Sequence, residues 1–280
     1  SYWLSNPEQP LEGYSPIIGD EGTIRSLRTR AGLKFVEEVV DTGKKFSQNS
    51  VQGLLFNHRN NGAEVFLDDI LTVCNESQEL TEACSILSSW DRRQDIDSVG
   101  AHIFNQFWNN ARRLRDHYAV PFNIDDPIHT PSGLTVNEQA TRDYILVNLE
   151  AAVGSLAEAD ISLNAKWGDV QFAVRNGEKI GIPGGAGGQG MFSVITARFN
   201  ADAGGYSPIS HGNSYIQTVT WSEQGTPIPK AILTYSQSPE PDSDFYSDMT
   251  KLYSDSQWID LPFTDEEIAA KQVKLEVLNF

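Results

Sequence analysis

The sequence predicts an α+β protein, mostly helical in its first half and β-rich in its second. Three observations carry that expectation. Up to about residue 160, apolar residues recur at the three- and four-residue steps of buried helix faces. Beyond it, "DVQFAVRNGEKIGIPG" alternates apolar with polar residues, the two-residue period of a strand. Inside that stretch, Asn176-Gly177 is the dipeptide that tight hairpin turns prefer. At 280 residues the chain is long enough for one large domain or two smaller ones, each with a buried core.

The elements follow in order. Residues 1–24 carry Pro7, Pro10, Gly13, Pro16, Gly19 and Gly22 and read as an extended, irregular segment. A helix is expected over 23–40, with Leu27, Phe35, Val36 and Val39 or Val40 on or near one face and Thr42-Gly43 as its stop. "FSQNSVQGLLFNHRNNGAEVFLDDILTVC" reads as two helices broken at Asn60-Asn61-Gly62, the second burying Leu67, Ile70, Leu71 and Cys74. "SVGAHIFNQFWNNARRLRDHY" is expected to be helical up to Val120-Pro121, with Ile103, Phe104, Phe107, Trp108, Ala111 and Leu114 inward. A further helix spans 135–157, capped by Thr135 or Asn137. "MFSVITARF", "SYIQTVTW" and "PKAILTYSQS" read as strands, and "TDEEIAAKQV" as a short helix opened by a Thr264–Glu267 capping box.

Composition narrows the function. Lys and Arg number 21 against 38 Asp and Glu, a net charge of −17 that repels phosphate backbones and argues against nucleic acid as a partner. No apolar run approaches the ~20 residues that cross a bilayer, so no membrane partner is expected. Cys74 and Cys84 are too few for a zinc site. They form either a disulfide, the favoured reading, or two buried free thiols; a disulfide implies an oxidising compartment.

The chemistry-bearing stretches are weak individually. "GIPGGAGGQGMF" lacks the Gly-Lys-Ser/Thr ending of a phosphate loop and is expected to join two strands. His58, His102, His117, His129 and His211 show no metal-ligand spacing, and His211, without a GxSxG elbow nearby, reads as a hydrogen-bonded histidine at a strand entrance. Asp91, Asp95 and Asp97 are interleaved with Arg92 and Arg93, which predicts an Arg–Asp network with lowered carboxylate pKa values. Arg25, Arg28 and Arg30 crowd a helix start against its dipole. They are either an exposed basic cluster or include one arginine turned into an active site. Ser1 raises a separate question, because a free N-terminal serine can use its own amine, which titrates near pH ~8, as a general base.

The ordered set "SYWLSNPEQPLEGYSPIIGDEGTIRSLRTR", "GAEVFLDDILTVC", "WDRRQDIDSVGAHIFNQFW", "DPIHTPSGL", "VQFAVRNGEKIGIPGG", "HGNSYIQTVTW" and "AILTYSQSPEPDSDFYSDMTKLYSDSQWIDLPFTDEEI" resembles the penicillin acylase-like N-terminal-nucleophile hydrolases. Within them the set is similar to the branch that contains acyl-homoserine-lactone acylases and aculeacin A acylase. The resemblance implies part of an αββα sandwich. Residues 1–30 would be an extended segment leading from the active-site region, 31–160 a helical part, and 161–280 a β-rich part with a short C-terminal helix. It implies a C-terminal fragment of an N-acyl amide hydrolase, inactive alone. The catalytic Ser would lie upstream, as would an Asn-Asp pair whose Asn enters the oxyanion hole, so Ser1 is not the nucleophile. Arg28, with Arg30 second, is the family arginine that orients this Asn. Implied partners are the remainder of the β-chain, the α-chain of the same precursor and a small N-acyl amide. No cofactor is implied, although a structural calcium in the intact enzyme is allowed, and the location is periplasmic or secreted. The alternatives are a non-catalytic extracellular binding or scaffold module, and a small hydrolase using Ser1.

Overall fold

The computed structural model describes residues 2–274, 276 and 277. Helices dominate up to Glu158 and antiparallel strands beyond it, which makes the fold α+β as expected. The chain divides into two compact units, residues 1–45 with 55–212, and residues 46–54 with 213–280.

The first unit opens on a 3-10 turn, Tyr2–Leu4, that buries Trp3 and Leu4, and continues irregularly to Ser26. The Ser26 hydroxyl accepts from the Thr29 amide and caps α1 (Leu27–Val40). Its buried stripe is Leu27, Ala31 and Phe35, with Arg30 beside it. Val36 and Val40, expected on this face, are exposed: steps of four carry the stripe to Phe35, and Val36 lies a further ~100° around the helix. After α2 (Gln48–Phe56), the break falls at residues 57–60, and Asn60 caps α3 (Asn61–Cys74) by accepting from the Ala63 amide. Asn61 and Gly62 thus belong to the first turn of α3 rather than to the break.

Cys74, the last residue of α3, is disulfide-bonded to Cys84 of α4 (Thr81–Ser89). Gly100, with φ 104°, opens α5 (Ala101–Asn110); a Cβ there would sit 2.9 Å from the Trp90 Cβ. α5 ends well short of Val120. The Tyr144 hydroxyl accepts from the Arg113 amide at 2.9 Å, and Tyr118 and Val120 are drawn into β1 (Tyr118–Val120), paired with β2 (Ser132–Leu134). Tertiary pairing here overrides helical pattern. α6 (Gln139–Glu158) likewise starts later than expected and without a side-chain cap among the described residues. Thr135 instead donates its amide to the His117 carbonyl and shares a hydroxyl hydrogen bond with Thr141.

α7 (Trp167–Val170) leads into the hairpin of β3 (Phe172–Arg175) and β4 (Glu178–Gly181). Asn176 and Gly177 both take positive φ, 50° and 78°, the turn their sequence predicts. A second hairpin joins β5 (Ile195–Asn200) to β6 (Gly205–Gly212) with register shifts between them. Phe66, Leu67 and Ile70 of α3, Phe104 and Phe107 of α5, Ile145 and Leu149 of α6, Trp167 and Tyr206 form the fully buried core.

The second unit is an antiparallel sheet in the order β7 (Tyr215–Trp221), β8 (Pro227–Leu233), β9 (Ile259–Asp260). The start of α2 is bonded to it: Gln52 donates to the Thr218 hydroxyl and Gln48 to the Ile228 carbonyl. α8 (Asp248–Ser254) buries Met249 and Tyr253, and α9 (Asp265–Lys271) begins with the expected Thr264–Glu267 capping box.

The Cys74–Cys84 bridge closes a short loop between two helices, so chain entropy assigns it a stabilisation of about 2–3 kcal/mol. Titration of the intact protein under denaturing, non-reducing conditions should find neither thiol free. Replacing both cysteines by serine should lower the denaturant midpoint accordingly. Two reactive thiols, or an unchanged midpoint, would contradict the bridge.

Candidate functional site

The three arginines of "RSLRTR" enter three different surroundings. Arg25 lies 4.9 Å over the Trp3 ring and donates to the Asp20 carbonyl. Arg30 is only 3% exposed, and its Nε donates to the Ile128 carbonyl at 2.6 Å. Burial pulls the Arg30 guanidinium below its ordinary pKa, while Tyr118 and Asp126 act in the other direction. Arg28 is exposed, yet held in place. Its guanidinium sits 5.7 Å from the centre of the Phe192 ring, and its Nη2 and Nε point to the Phe192 carbonyl oxygen at 3.2 and 3.4 Å. A cation in the first turn of a helix opposes the helix dipole. The carbonyl and the ring face of Phe192 offset that opposition.

Phe192 ends the glycine-rich stretch, which joins β4 to β5 as expected and contains a 3-10 turn, Gly187–Gln189. Its ring meets Phe35 edge-on at 6.5 Å and leaves only 3.2 Å for a Cβ at Gly32. Gly190 has φ 83°, and a Cβ there would come within 2.7 Å of the Asn61 Cβ and 3.1 Å of the Leu27 Cβ. Asn61 donates to the Leu27 carbonyl at 3.0 Å. Gln189 is fully buried; its Oε1 accepts from Asn60 Nδ2 at 2.9 Å, and its Nε2 donates to Asn105 Oδ1. These amides escape a reading of the sequence. Asn60-Asn61 carries the signal of a helix break, and a glutamine in a glycine-rich run gives no sign of burial.

The acidic stretch departs from expectation. Arg92 pairs with Asp68 of α3, and Arg93 donates to the Asn57 carbonyl. Asp97 takes Lys166 at 2.7 Å, and Asp91 accepts from the Arg93 amide and the Ser98 hydroxyl. Asp95 is left half-buried. Desolvation, followed by Asp91 and Asp97, pushes its carboxyl up to about 6 against the pull of Arg93, the reverse of the lowering that the sequence suggested. Across from it, at 3.8 Å, stands His58. Its ring is fully buried, neither nitrogen has a hydrogen-bond partner among the described residues, and burial pushes it down to about 3, with Arg93 adding to the effect.

The other histidines are dispersed. His102 contacts the Ser162 carbonyl, His117 the Thr141 hydroxyl and His129 the Asp126 carboxylate, while His211 is exposed on β6 opposite Thr196. Among the described residues, no group of three or more His, Cys, Asp or Glu side chains is arranged to hold a metal ion, and the structural calcium that the resemblance allows is assigned to none of them. No described helix is long and apolar enough to cross a membrane. Ser1 lies outside the described residues.

The sequence matches the penicillin amidase family over residues 3–270. It is 33% identical over 276 residues to the acyl-homoserine lactone acylase PvdQ of Pseudomonas syringae pv. syringae, covering 96% of this chain and 35% of that protein. To the aculeacin-A acylase of Actinoplanes utahensis it is 35% identical over 286 residues, with the same 96% and 35% coverage. The chain spans about a third of the length of the curated relatives it matches.

The His58–Asp95 pair makes a pH-dependent expectation. Unfolded, His58 titrates at 6.5; folded, at about 3. Between those values the unfolded chain binds a proton that the native state refuses, so acidification weakens the fold. Asp95 acts oppositely: between 6 and 3.8 the native state binds the extra proton, and its contribution grows as pH falls. In thermal unfolding of the intact protein, His58→Gln should flatten the loss of Tm between pH 6.5 and 4, and Asp95→Asn should steepen it. Parallel pH profiles for wild type and both variants would contradict this.

Proposed function

Because the chain belongs to the penicillin amidase family, we propose that it is the C-terminal part of an N-acyl amide hydrolase whose catalytic serine and oxyanion asparagine are supplied by the rest of the protein. The serine oxygen attacks the amide carbonyl and the C–N bond breaks, the amine leaving with a proton. Water then hydrolyses the acyl-serine ester to the carboxylic acid and restores the serine. The relatives named as acyl-homoserine lactone acylase and aculeacin-A acylase support an N-acyl amide substrate. The Cys74–Cys84 disulfide supports a periplasmic or secreted location. The chain alone is inactive on this reading.

The observation that carries the role of this chain is the state of Arg28. It combines an exposed guanidinium with a fixed carbonyl acceptor, and the bonds to Phe192 use Nε and Nη2, leaving Nη1 without a partner among the described residues. An asparagine side chain has one oxygen acceptor and one NH₂ donor group. A guanidinium that holds the oxygen turns the NH₂ toward the developing oxyanion, so Arg28 is a positioning residue. Arg30, buried on the Ile128 carbonyl, serves the fold instead.

In the intact enzyme, Arg28→Ala should lower kcat by as much as, or less than, the ~10²–10³-fold cost of losing an oxyanion donor, with Tm nearly unchanged. Arg30→Ala should lower Tm, because it leaves a buried carbonyl without its donor, and should spare kcat. Steady-state kinetics on an N-acyl amide, paired with thermal unfolding, separate the two. Wild-type kcat in Arg28→Ala, or a kcat loss confined to Arg30→Ala, would overturn the assignment.

A further inference from the structure

We propose that Gln189 is a second positioning residue, acting on Arg28 through the backbone carbonyl of Phe192; this rests on the reading of Arg28 given above. The Phe192 carbonyl that takes Arg28 terminates a run containing Gly184, Gly185, Gly187, Gly188 and Gly190. Glycines lose more backbone freedom on ordering than any other residue, so such a run needs an external hold to keep one conformation. Gln189 supplies it. Its carboxamide is fully buried, with the oxygen bonded to Asn60 at the head of α3 and the NH₂ to Asn105 on α5. A primary amide satisfied from two different helices admits one position, whereas an apolar side chain of equal volume would tolerate several.

The same short stretch of α3 governs both sides of the Arg28 contact. Asn60 bonds Gln189 and bridges to Met191, the residue before Phe192. Asn61 bonds the carbonyl of Leu27, the residue before Arg28. Between them Gly190 packs so closely on Asn61 and Leu27 that a side chain there has no space. The backbone that bears the guanidinium and the carbonyl that receives it are therefore both referenced to Asn60-Asn61, and Gln189 is the side chain that ties the glycine run to that reference.

The test is a double-mutant cycle in the intact enzyme, reading kcat and KM on an N-acyl amide. Gln189→Met keeps length and volume and removes both hydrogen bonds. It should lower kcat about 10-fold with KM changed less than about 2-fold, since a small misplacement far from the reacting bond is costly to turnover. In an Arg28→Ala background the same substitution should change kcat by less than about 2-fold, because the two residues act as a unit. Asn60→Ser, which keeps an N-cap oxygen for α3 but lacks the carboxamide NH₂ that bonds Gln189, should reproduce both results, and it carries the test if Gln189→Met fails to fold. If Arg28→Ala alone keeps wild-type kcat, the reading of Arg28 fails. If Arg28→Ala lowers kcat but Gln189→Met leaves kcat intact, or lowers it equally in both backgrounds, the positioning role of Gln189 is overturned.

Discussion

A carboxamide sealed away from water must find both an acceptor for its NH₂ and a donor for its oxygen inside the protein, or destabilise the fold by the full cost of its desolvation. Gln189 is under that constraint, and Asn60 and Asn105 meet it. The consequence spreads outward. Asn60 uses its oxygen to cap α3 while its NH₂ engages Gln189, so the start of one helix and the course of a distant glycine-rich loop are set by a single side chain. Low local dielectric strengthens such a chain of amides and also makes each missing link expensive.

On the proposed reading, this rigidity serves Arg28. An exposed arginine ordinarily samples many rotamers, and its charge is then of little use to chemistry that depends on fixed dipoles. Here one carbonyl and one aromatic face restrain the guanidinium, and both belong to Phe192. Phe192 in turn rests on Gly32 and Phe35 of the same helix that carries Arg28. Neighbouring arginines show the contrast: Arg30 is committed to the Ile128 carbonyl and Arg25 to Trp3 and the Asp20 carbonyl.

What the sequence made legible was local. The Asn176-Gly177 turn and the Thr264–Glu267 capping box are decided within four residues, and both stand as expected. The inward faces of α3 and α5 follow from helical period, and the α+β division from the change to a two-residue period beyond residue 160. What stayed hidden depends on residues far apart in the chain. α5 stops early because Tyr144 and β2 compete for the residues after it, and Val36 is exposed because the stripe runs through Leu27, Ala31 and Phe35, one position away around the helix. The raised Asp95 was missed because its neighbouring arginines turn to Asp68 and the Asn57 carbonyl. At the site, Arg28 was legible only through family resemblance, and Gln189, Asn60, Asn61 and Asn105 were not legible at all.

The central proposal is that Arg28 is held by this chain in order to orient a group that the rest of the protein provides. The most direct measurement is a crystal structure of the intact enzyme with a tetrahedral analogue bound to its catalytic serine. The expected result is an Arg28 guanidinium still bonded to the Phe192 carbonyl and, at about 2.7–3.2 Å, to the side-chain oxygen of the asparagine whose NH₂ meets the analogue's oxyanion. An Arg28 directed into solvent, with that asparagine held by another residue, would contradict the claim.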